Sequence, residues 1–138
     1  MTDRLPTPER RAACRCGQLA VHCQGDPFRI SICHCLNCQK RSGSVFAAQA
    51  RWPAERVRIE GVAKTWTSTG DSGAATVFSF CPTCGSTVFY KGGGFLDAIA
   101  VAVGAFADPA FPAPQVSVWE ERKHPWVAFL GDSVKHSW

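Results

Sequence analysis

The amino-acid sequence predicts one mostly β domain of 138 residues, and three observations support this prediction. Short runs in which apolar and polar residues alternate recur along the chain, as they do in antiparallel strands. Glycine and proline interrupt these runs, and no long amphipathic helix is evident. Hydrophobic residues make up 46% of the chain and charged residues 19%, a balance that argues against intrinsic disorder.

The alternating runs predict about six to nine short strands. The clearest runs lie at residues 19–23, 29–33, 56–59, 77–80, 87–90, 98–103 and 116–118. In the run at 98–103 large residues alternate with alanines, which fits a strand covered on both faces. Turns are predicted at 25–27, 70–73 and 92–94, and a proline-rich loop at 108–114. One short helical turn is predicted over 39–41, ended by Ser42 and Gly43.

The eight cysteines are the unusual feature of the composition. They are too many for ordinary buried thiols, yet fewer than a short secreted disulfide scaffold carries. Residues 1–13 contain no apolar stretch that would serve as a signal peptide, and the longest apolar run, at 98–107, is too short to span a bilayer. We therefore expect a cytoplasmic protein, in which clustered cysteines bind metal or take part in catalysis.

The charge pattern bears on the kind of partner. The net charge of +4 and the pI near 8.7 come from basic residues that are scattered singly and in pairs. That distribution is typical of a solvated surface rather than of a nucleic-acid-binding face. It disfavours a nucleic-acid partner, and we expect no membrane partner.

Cys81 and Cys84 have the spacing of a zinc-binding turn. A C-x-x-C turn brings two sulfurs to one side of a tight loop, where both can reach a zinc ion at about 2.3 Å. Pro82 favours that turn, and Gly85 can take the positive φ that folds the backbone around the metal. The site needs a second pair of ligands from elsewhere in the chain. A redox C-x-x-C would be expected in a βαβ unit, which is not evident in this sequence.

Cys33, Cys35 and Cys38 form a C-x-C-x-x-C triplet. Three thiolates leave a tetrahedral zinc ion one ligand short, and an open fourth position distinguishes catalytic from structural zinc. The alternative is that a fourth protein side chain closes the site. The side chains considered for that role are Cys23, His22, His34, His124 and His136.

Cys23 distinguishes these two interpretations of the triplet. It shares one face of a predicted strand with Leu19 and Val21, so we interpret it as a small core residue. A third cluster contains Cys14 and Cys16. Spacing alone does not determine which clusters combine around one metal ion.

Together the cysteine clusters and their flanks resemble one protein family. The matching segments are CRCG at 14–17, CHCLNCQKRSG at 33–43, CPTCG at 81–85, VGAFADP at 103–109 and PW at 125–126. In this order they resemble the glutathione-dependent formaldehyde-activating enzymes, whose members share the Mss4-like β-tent, a mostly β fold of short antiparallel strands cross-linked by zinc. The resemblance implies a zinc domain over residues 13–130, an N-terminal tail over 1–12 and a C-terminal tail over 131–138.

The resemblance also implies two zinc ions per chain. The ligands of the structural zinc would be Cys14, Cys16, Cys81 and Cys84. The ligands of the catalytic zinc would be Cys33, Cys35 and Cys38. The implied activity is that of S-(hydroxymethyl)glutathione synthase, a carbon–sulfur lyase acting on the adduct of glutathione with formaldehyde or a related aldehyde. Zinc held by three thiolates suits this chemistry because it is a soft site for a thiolate ligand.

Four further residues are candidates for substrate binding or catalysis. Lys40 and Arg41 directly follow the triplet and would attract an acidic thiol; as a solvated basic turn they would have no specific role. Trp126, in the last matching segment, is the tryptophan expected near a pocket. No catalytic residue is assigned beyond the metal site, although His34, between two cysteines, is considered as an acid or base.

The alternative function is a non-catalytic zinc module that binds a protein or a nucleic acid. The pI permits this function. However, the basic residues do not cluster and no aromatic stacking platform is evident. A protein side chain as fourth ligand of the triplet would favour this alternative over catalysis.

Overall fold

A computed structural model describes residues 8–69, 73–131 and 134–138, and it confirms the mostly β fold class. The described strands are β1 (Glu9–Ala13), β2 (Ala20–Gln24), β3 (Arg29–Cys33), β4 (Ala47–Pro53), β5 (Val57–Glu60), β6 (Lys64–Thr69), β7 (Ala75–Phe80), β8 (Thr87–Gly92), β9 (Phe95–Ala102), β10 (Val116–Val118) and β11 (Lys135–His136). Helix α1 spans Leu36–Ser42, and 3-10 helices span Ala54–Arg56, Val103–Phe106 and Glu120–Arg122. None of the helices in these ranges is long and apolar enough to cross a membrane.

The strands form two sheets. The small sheet has the order β1-β2-β5, and the large sheet has the order β11-β10-β3-β4-β9-β8-β7-β6. Most neighbours are antiparallel, as predicted, but β10 pairs in parallel with both β3 and β11. Parallel neighbours need a long crossover connection, and most of the chain lies between β3 and β10. The two pairs of β10 are thus the exceptions in a sheet that is otherwise antiparallel.

Most predicted elements are present, and several additional strands lie between them. Each alternating run coincides with a strand, and the run at 29–33 has the bounds of β3. The structure adds β1, β4, β6 and β11, so the described chain has more strands than predicted. The helical turn predicted at 39–41 is part of α1, and residues 70–72 of one predicted turn lie outside the described ranges. Strand β11 and all but the last residue of β1 lie within segments that were predicted as tails.

The apolar core lies between the two sheets. Val21 and Cys23 of β2 pack in one buried cluster with Ala50 and Trp52 of β4, and all four are fully buried. Trp52 also donates a hydrogen bond from Nε1 to the carbonyl of Gly25 at 3.0 Å, so its polar atom is satisfied inside the core. The interpretation of Cys23 as a core residue is confirmed.

The large sheet also carries a row of buried polar residues. Ser31 and Gln49 are opposite each other on β3 and β4, and Gln49 Nε2 donates to Ser31 Oγ at 2.7 Å. Because side chains alternate along a strand, Ser31 lies on the same face of β3 as Cys33. This polar row therefore leads along β3 to the first cysteine of the triplet.

Candidate metal centres

The first candidate metal centre is a tetrad of sulfurs from two distant segments, Cys14, Cys16, Cys81 and Cys84. One pair follows β1 and the other follows β7, and all four Sγ atoms lie within 4.8 Å of one another. The Sγ atoms of Cys14 and Cys16 are 3.6 Å apart, and those of Cys16 and Cys81 are 3.7 Å apart. Tetrahedral zinc with bonds of about 2.3 Å separates its sulfurs by about 3.8 Å. The tetrad therefore fits a zinc ion.

A glycine with a positive φ follows each cysteine pair of the tetrad. Gly17 has φ +88° and Gly85 has φ +79°. The backbone N–H of Gly17 donates to the carbonyl of Cys14 at 3.0 Å, and that of Gly85 donates to the carbonyl of Cys81 at 2.8 Å. These tight turns aim both sulfurs of each pair to one side. The conformation predicted for Gly85 is confirmed.

Hydrogen bonds to two of the tetrad sulfurs, those of Cys81 and Cys84, stabilise their thiolate form. Gln18 Nε2 donates to Cys81 Sγ at 3.0 Å, and the backbone N–H of Leu19 donates to Cys14 Sγ at 3.3 Å. Burial raises the pKa of Cys81, but the bonds from Gln18 and from nearby backbone N–H groups bring it down to about 7. A hydrogen bond with Ser86 lowers the pKa of Cys84 to about 5. Thiolates are the form that binds metal.

The second candidate centre is the triplet of Cys33, Cys35 and Cys38, whose Sγ atoms also lie within 4.8 Å of one another. Cys33 ends β3, and Cys35 immediately precedes α1. The backbone N–H of Cys38 donates to Cys35 Sγ at 3.3 Å, so the Cys35 side chain caps the first turn of the helix. The helix ends at Gly43, which has φ +69°. Strand end and helix start thus bring three sulfurs together.

The pKa values of the triplet thiols shift in opposite directions. Hydrogen bonds from Cys33 and Cys38 lower the pKa of Cys35 to about 2. The hydrogen bond with Cys35 is the largest cause that raises the pKa of Cys33. Cys35 is therefore a thiolate that two neighbouring thiols stabilise. A negative, soft sulfur cluster of this kind suits zinc.

None of the side chains considered as a fourth ligand joins the triplet within the described residues. Cys23 lies in the core between the sheets. The four histidine rings contact other partners: His22 with Glu9 and Glu60, His34 with Ser117, His124 with Gln39, and His136 with Glu120. The described protein donors therefore leave the triplet with three ligands.

His34 lies in the protein interior next to the triplet. Its ring is fully buried, and Nε2 is 2.9 Å from Ser117 Oγ. The rings of Phe46 and Phe129 pack against it, with centroids 6.0 and 5.6 Å away. Burial lowers the pKa of His34, so the neutral imidazole is favoured. Its side chain therefore contacts β10 and an aromatic cluster.

Arg41 and Lys40, near the end of α1, differ in their surroundings. Lys40 is exposed, whereas the Arg41 guanidinium lies 5.0 Å from the centroid of the Phe78 ring and 5.2 Å from that of Tyr90. These two cation–π contacts hold Arg41 over the large sheet.

Trp126 lies at the surface and is linked to α1. Its ring packs edge-on against that of His124, with centroids 5.7 Å apart. His124 Nε2 is 2.9 Å from Oε1 of Gln39, which belongs to α1. These contacts connect the segment of Trp126 with the helix that carries Cys38.

Sequence reasoning missed several residues that surround the two centres. Gln18 and Ser86 contact tetrad sulfurs, and the pKa values of Arg51 and Tyr90 on the large sheet respond to the charge of Cys33. Arg51 is a buried cation that donates to Ser31 Oγ at 3.2 Å and to the Tyr90 hydroxyl at 3.3 Å. The sequence offered one signal for Arg51, which is its position among the small residues of the segment that forms β4. That segment was not predicted to be a strand.

The chain is thus a mostly β domain with a four-cysteine and a three-cysteine centre, and each centre could hold one metal ion. Residues 9–122 match a family described as glutathione-dependent formaldehyde-activating enzyme. The match spans most of the chain, and the protein belongs to this family.

One similar solved structure is the crystal structure of a Rhodobacter sphaeroides protein from a structural genomics programme. The two share 20% sequence identity with a TM-score of 0.55, over 69% of this chain and 85% of that chain. At this identity the similarity shows the fold alone. A comparison with curated proteins finds no match.

Proposed function

We propose that this protein is a zinc-dependent enzyme that joins a thiol such as glutathione to formaldehyde or a related aldehyde, as a carbon–sulfur lyase acting in the synthetic direction. The observation that supports this proposal is the division of seven cysteines into a tetrad and a triplet. Four thiolates close a structural zinc site, whereas three leave one position for a substrate. Membership of the family gives the proposed thiol and aldehyde.

In this proposal Cys14, Cys16, Cys81 and Cys84 hold the structural zinc. Cys33, Cys35 and Cys38 hold the catalytic zinc. When bound, that zinc supplies a Lewis acid that favours the thiolate form of the substrate and polarises a carbonyl. The overall reaction balances: the thiol sulfur bonds to the carbonyl carbon, the π electron pair moves to oxygen, and the thiol proton ends on that oxygen.

The surrounding side chains would bind and orient the substrate. Arg41 lies three residues after Cys38, on the same face of α1, where its charge would attract an acidic thiol. Lys40 would add to this field from the exposed side of the helix. Trp126 would contact the substrate from the segment that His124 and Gln39 link to α1.

The experiment compares Cys38→Ser with Cys23→Ala in zinc content and catalysis. We expect two zinc ions in the wild-type chain and in Cys23→Ala, because Cys23 belongs to neither centre. We expect one zinc ion in Cys38→Ser, with the structural zinc and the fold retained. Adduct formation, followed by NMR exchange, should exceed the spontaneous rate only in the first two proteins.

Two results would contradict the proposal. One is a single zinc ion in freshly purified wild-type protein. The other is a protein with two zinc ions whose adduct formation does not exceed the spontaneous rate with any thiol.

A further inference from the structure

The chain between Cys33 and Cys35 contains two peptide groups, and each of them is held by a hydrogen bond. The backbone N–H of His34 donates to the carbonyl of Val118, on β10, at 3.1 Å. The carbonyl of His34 accepts from Nε2 of Gln39 at 2.8 Å. Because peptide groups are planar, these two bonds limit how far the two cysteines can move relative to each other.

Gln39 adjoins all three cysteines of the triplet. It directly follows Cys38 in α1, and its backbone N–H donates to the carbonyl of Cys35 at 3.0 Å. Its side chain reaches the carbonyl of His34, the residue between Cys33 and Cys35. A residue that orients metal ligands in this way contributes to metal affinity without binding the metal itself.

The same side chain also contacts a second segment, residues 122–126. Nε2 of Gln39 donates to the carbonyl of Arg122 at 3.2 Å, and Oε1 is 2.9 Å from Nε2 of His124. Carbonyl oxygens only accept, so the amide nitrogen faces His34 and Arg122. The amide oxygen then accepts from His124, which must carry a hydrogen on Nε2.

The Gln39 amide therefore joins parts of the chain that are far apart in sequence. Arg122 and His124 lie 83 and 85 residues after Gln39, and the His124 ring packs edge-on against Trp126. Fixing a long side chain costs conformational entropy, which its three hydrogen bonds offset. In this arrangement the loop of the triplet and the 122–126 segment are held by one amide group.

We propose that Gln39 is a positioning residue that couples metal binding by the triplet to the placement of the 122–126 segment. It acts on the triplet through the His34 carbonyl and on Trp126 through the His124 ring. Coupling between two sites is reciprocal, so loss of the bond between Gln39 and His124 should also weaken metal binding. This inference rests on the proposed function, because it gives Gln39 a role at the zinc site of that function.

The test measures the zinc affinity of the triplet by competition with a chelator, with Cys38→Ser reporting the tetrad alone. Gln39→Met keeps the side-chain length but loses all three hydrogen bonds of the amide. Gln24→Met is the matched control, at an exposed position of β2. We expect the triplet of Gln39→Met to bind zinc about ten-fold more weakly than that of the control, with the affinity of the tetrad unchanged.

A second variant tests the coupling. His124→Phe keeps an aromatic ring beside Trp126 but removes the hydrogen that Gln39 accepts. We expect it to lower the zinc affinity of the triplet about three-fold, although residue 124 is not a ligand. The double variant Gln39→Met/His124→Phe should bind zinc no more weakly than Gln39→Met alone, because both changes break the same bond.

The His124 ring also allows a measurement on the unaltered protein. Nitrogen-15 NMR of the zinc-loaded wild type should show a hydrogen on Nε2 of His124, and a hydrogen on Nδ1 alone would overturn the inference. Equal triplet affinity in Gln39→Met and Gln24→Met would also overturn it, as would an equal loss of affinity at both centres in Gln39→Met. Wild-type triplet affinity in His124→Phe would overturn the coupling.

The outcomes for Gln39 and for the proposed function are separable, because zinc affinity is measured without catalysis. Weaker zinc binding by the triplet of Gln39→Met, in a protein whose wild type does not catalyse adduct formation, would overturn the proposed function and leave the role of Gln39 standing. Catalysis by the wild type, with equal triplet affinity in Gln39→Met and Gln24→Met, would do the reverse.

Discussion

The side-chain amide of Gln18 donates a hydrogen bond to the sulfur of Cys81 at 3.0 Å, although 63 residues separate the two in sequence. The same Nε2 donates to the carbonyl of Val62 at 2.7 Å, and Oε1 of Gln18 accepts from the backbone N–H of Val62 at 2.9 Å. Gln18 therefore connects the tetrad with the turn between β5 and β6.

Replacing Gln18 by Met should weaken both connections. The variant keeps the side-chain length but loses three hydrogen bonds, so we expect a loss of about 1–3 kcal/mol in the free energy of unfolding. We also expect faster release of one zinc ion to a chelator, because Cys81 loses a donor. Urea denaturation and zinc release measure these changes. Gln24→Met, at an exposed position of β2, is the control, and identical results for the two variants would contradict the prediction.

Glu60 should make the stability of the small sheet dependent on pH. Its hydrogen bond with His22 Nε2, at 2.8 Å, and the charge of that ring hold the pKa of the Glu60 carboxyl below its usual value of 4.5. A lowered carboxyl pKa stabilises the fold above about pH 4.5, and this contribution is lost as the pH falls through the folded-state pKa.

The stability difference between wild type and Glu60→Gln should therefore be constant well above about pH 4.5 and shrink as the pH falls below that value through the folded-state pKa. Denaturation of both proteins at each pH measures it, and loss of zinc in acid affects both equally. Glu55→Gln, at an exposed site outside the sheet, is the control. A Glu60→Gln difference that stays constant as the pH falls below about 4.5 would contradict the assignment.

Arg51 should strengthen metal binding by the triplet without stabilising the fold. It is 8% exposed and has no carboxylate partner among the described residues. Burial lowers the pKa of Arg51, while Tyr90 and the Cys33 sulfur act in the opposite direction, as expected of a cation in the field of the triplet. Two unit charges about 10 Å apart interact by about 1–2 kcal/mol at an effective dielectric near 20, which is the scale of the effect expected here.

We therefore expect Arg51→Met to lower the zinc affinity of the triplet roughly ten-fold, measured by competition with a chelator. Its unfolding free energy should be unchanged or slightly higher, because a buried charge is replaced by an apolar side chain of similar length. Arg29→Met removes the same charge from the position opposite Arg51 on β3 and should have a smaller effect. Equal zinc affinity in Arg51→Met and wild type would rule out this role.

Trp126 should affect substrate use, whereas an equally exposed tryptophan should not. Trp126 is 72% exposed and Trp138 is 76% exposed, so exposure alone does not distinguish them. Only Trp126 is linked through His124 to α1. We expect Trp126→Ala to lower kcat/KM for glutathione roughly five-fold, the effect of about 1 kcal/mol, and Trp138→Ala to leave it unchanged. Equal kcat/KM values for the two variants would contradict the prediction.

The strands that sequence reasoning found are those whose side chains alternate between water and the core. Strand β8 is an example, with Val88 and Tyr90 buried and Thr87 and Phe89 only half-buried. Strand β4 was missed because its polar residues, Gln49 and Arg51, are buried, so the usual link between polarity and exposure fails. Strand β6 was missed because nearly all of its side chains are exposed at the edge of the large sheet.

The cysteine clusters were recognisable because turn geometry relates spacing in sequence to distance in space. The pairing of Cys14 and Cys16 with Cys81 and Cys84 is a property of the fold, and only the family resemblance implied it in advance. The contacts of Gln18 and of Gln39 depend on how segments distant in sequence approach each other. No local pattern encodes such contacts.

The two cysteine centres have very different spans, and this difference sets an order of assembly. The triplet is complete once Cys38 has been synthesised. The tetrad joins Cys16 to Cys81 across 65 residues, so it cannot form until most of the chain has been synthesised. During that interval the N-terminal cysteine pair lacks the two sulfurs that lie beside it in the folded protein. The time spent in translation is therefore the period in which these two thiols are least protected by the fold.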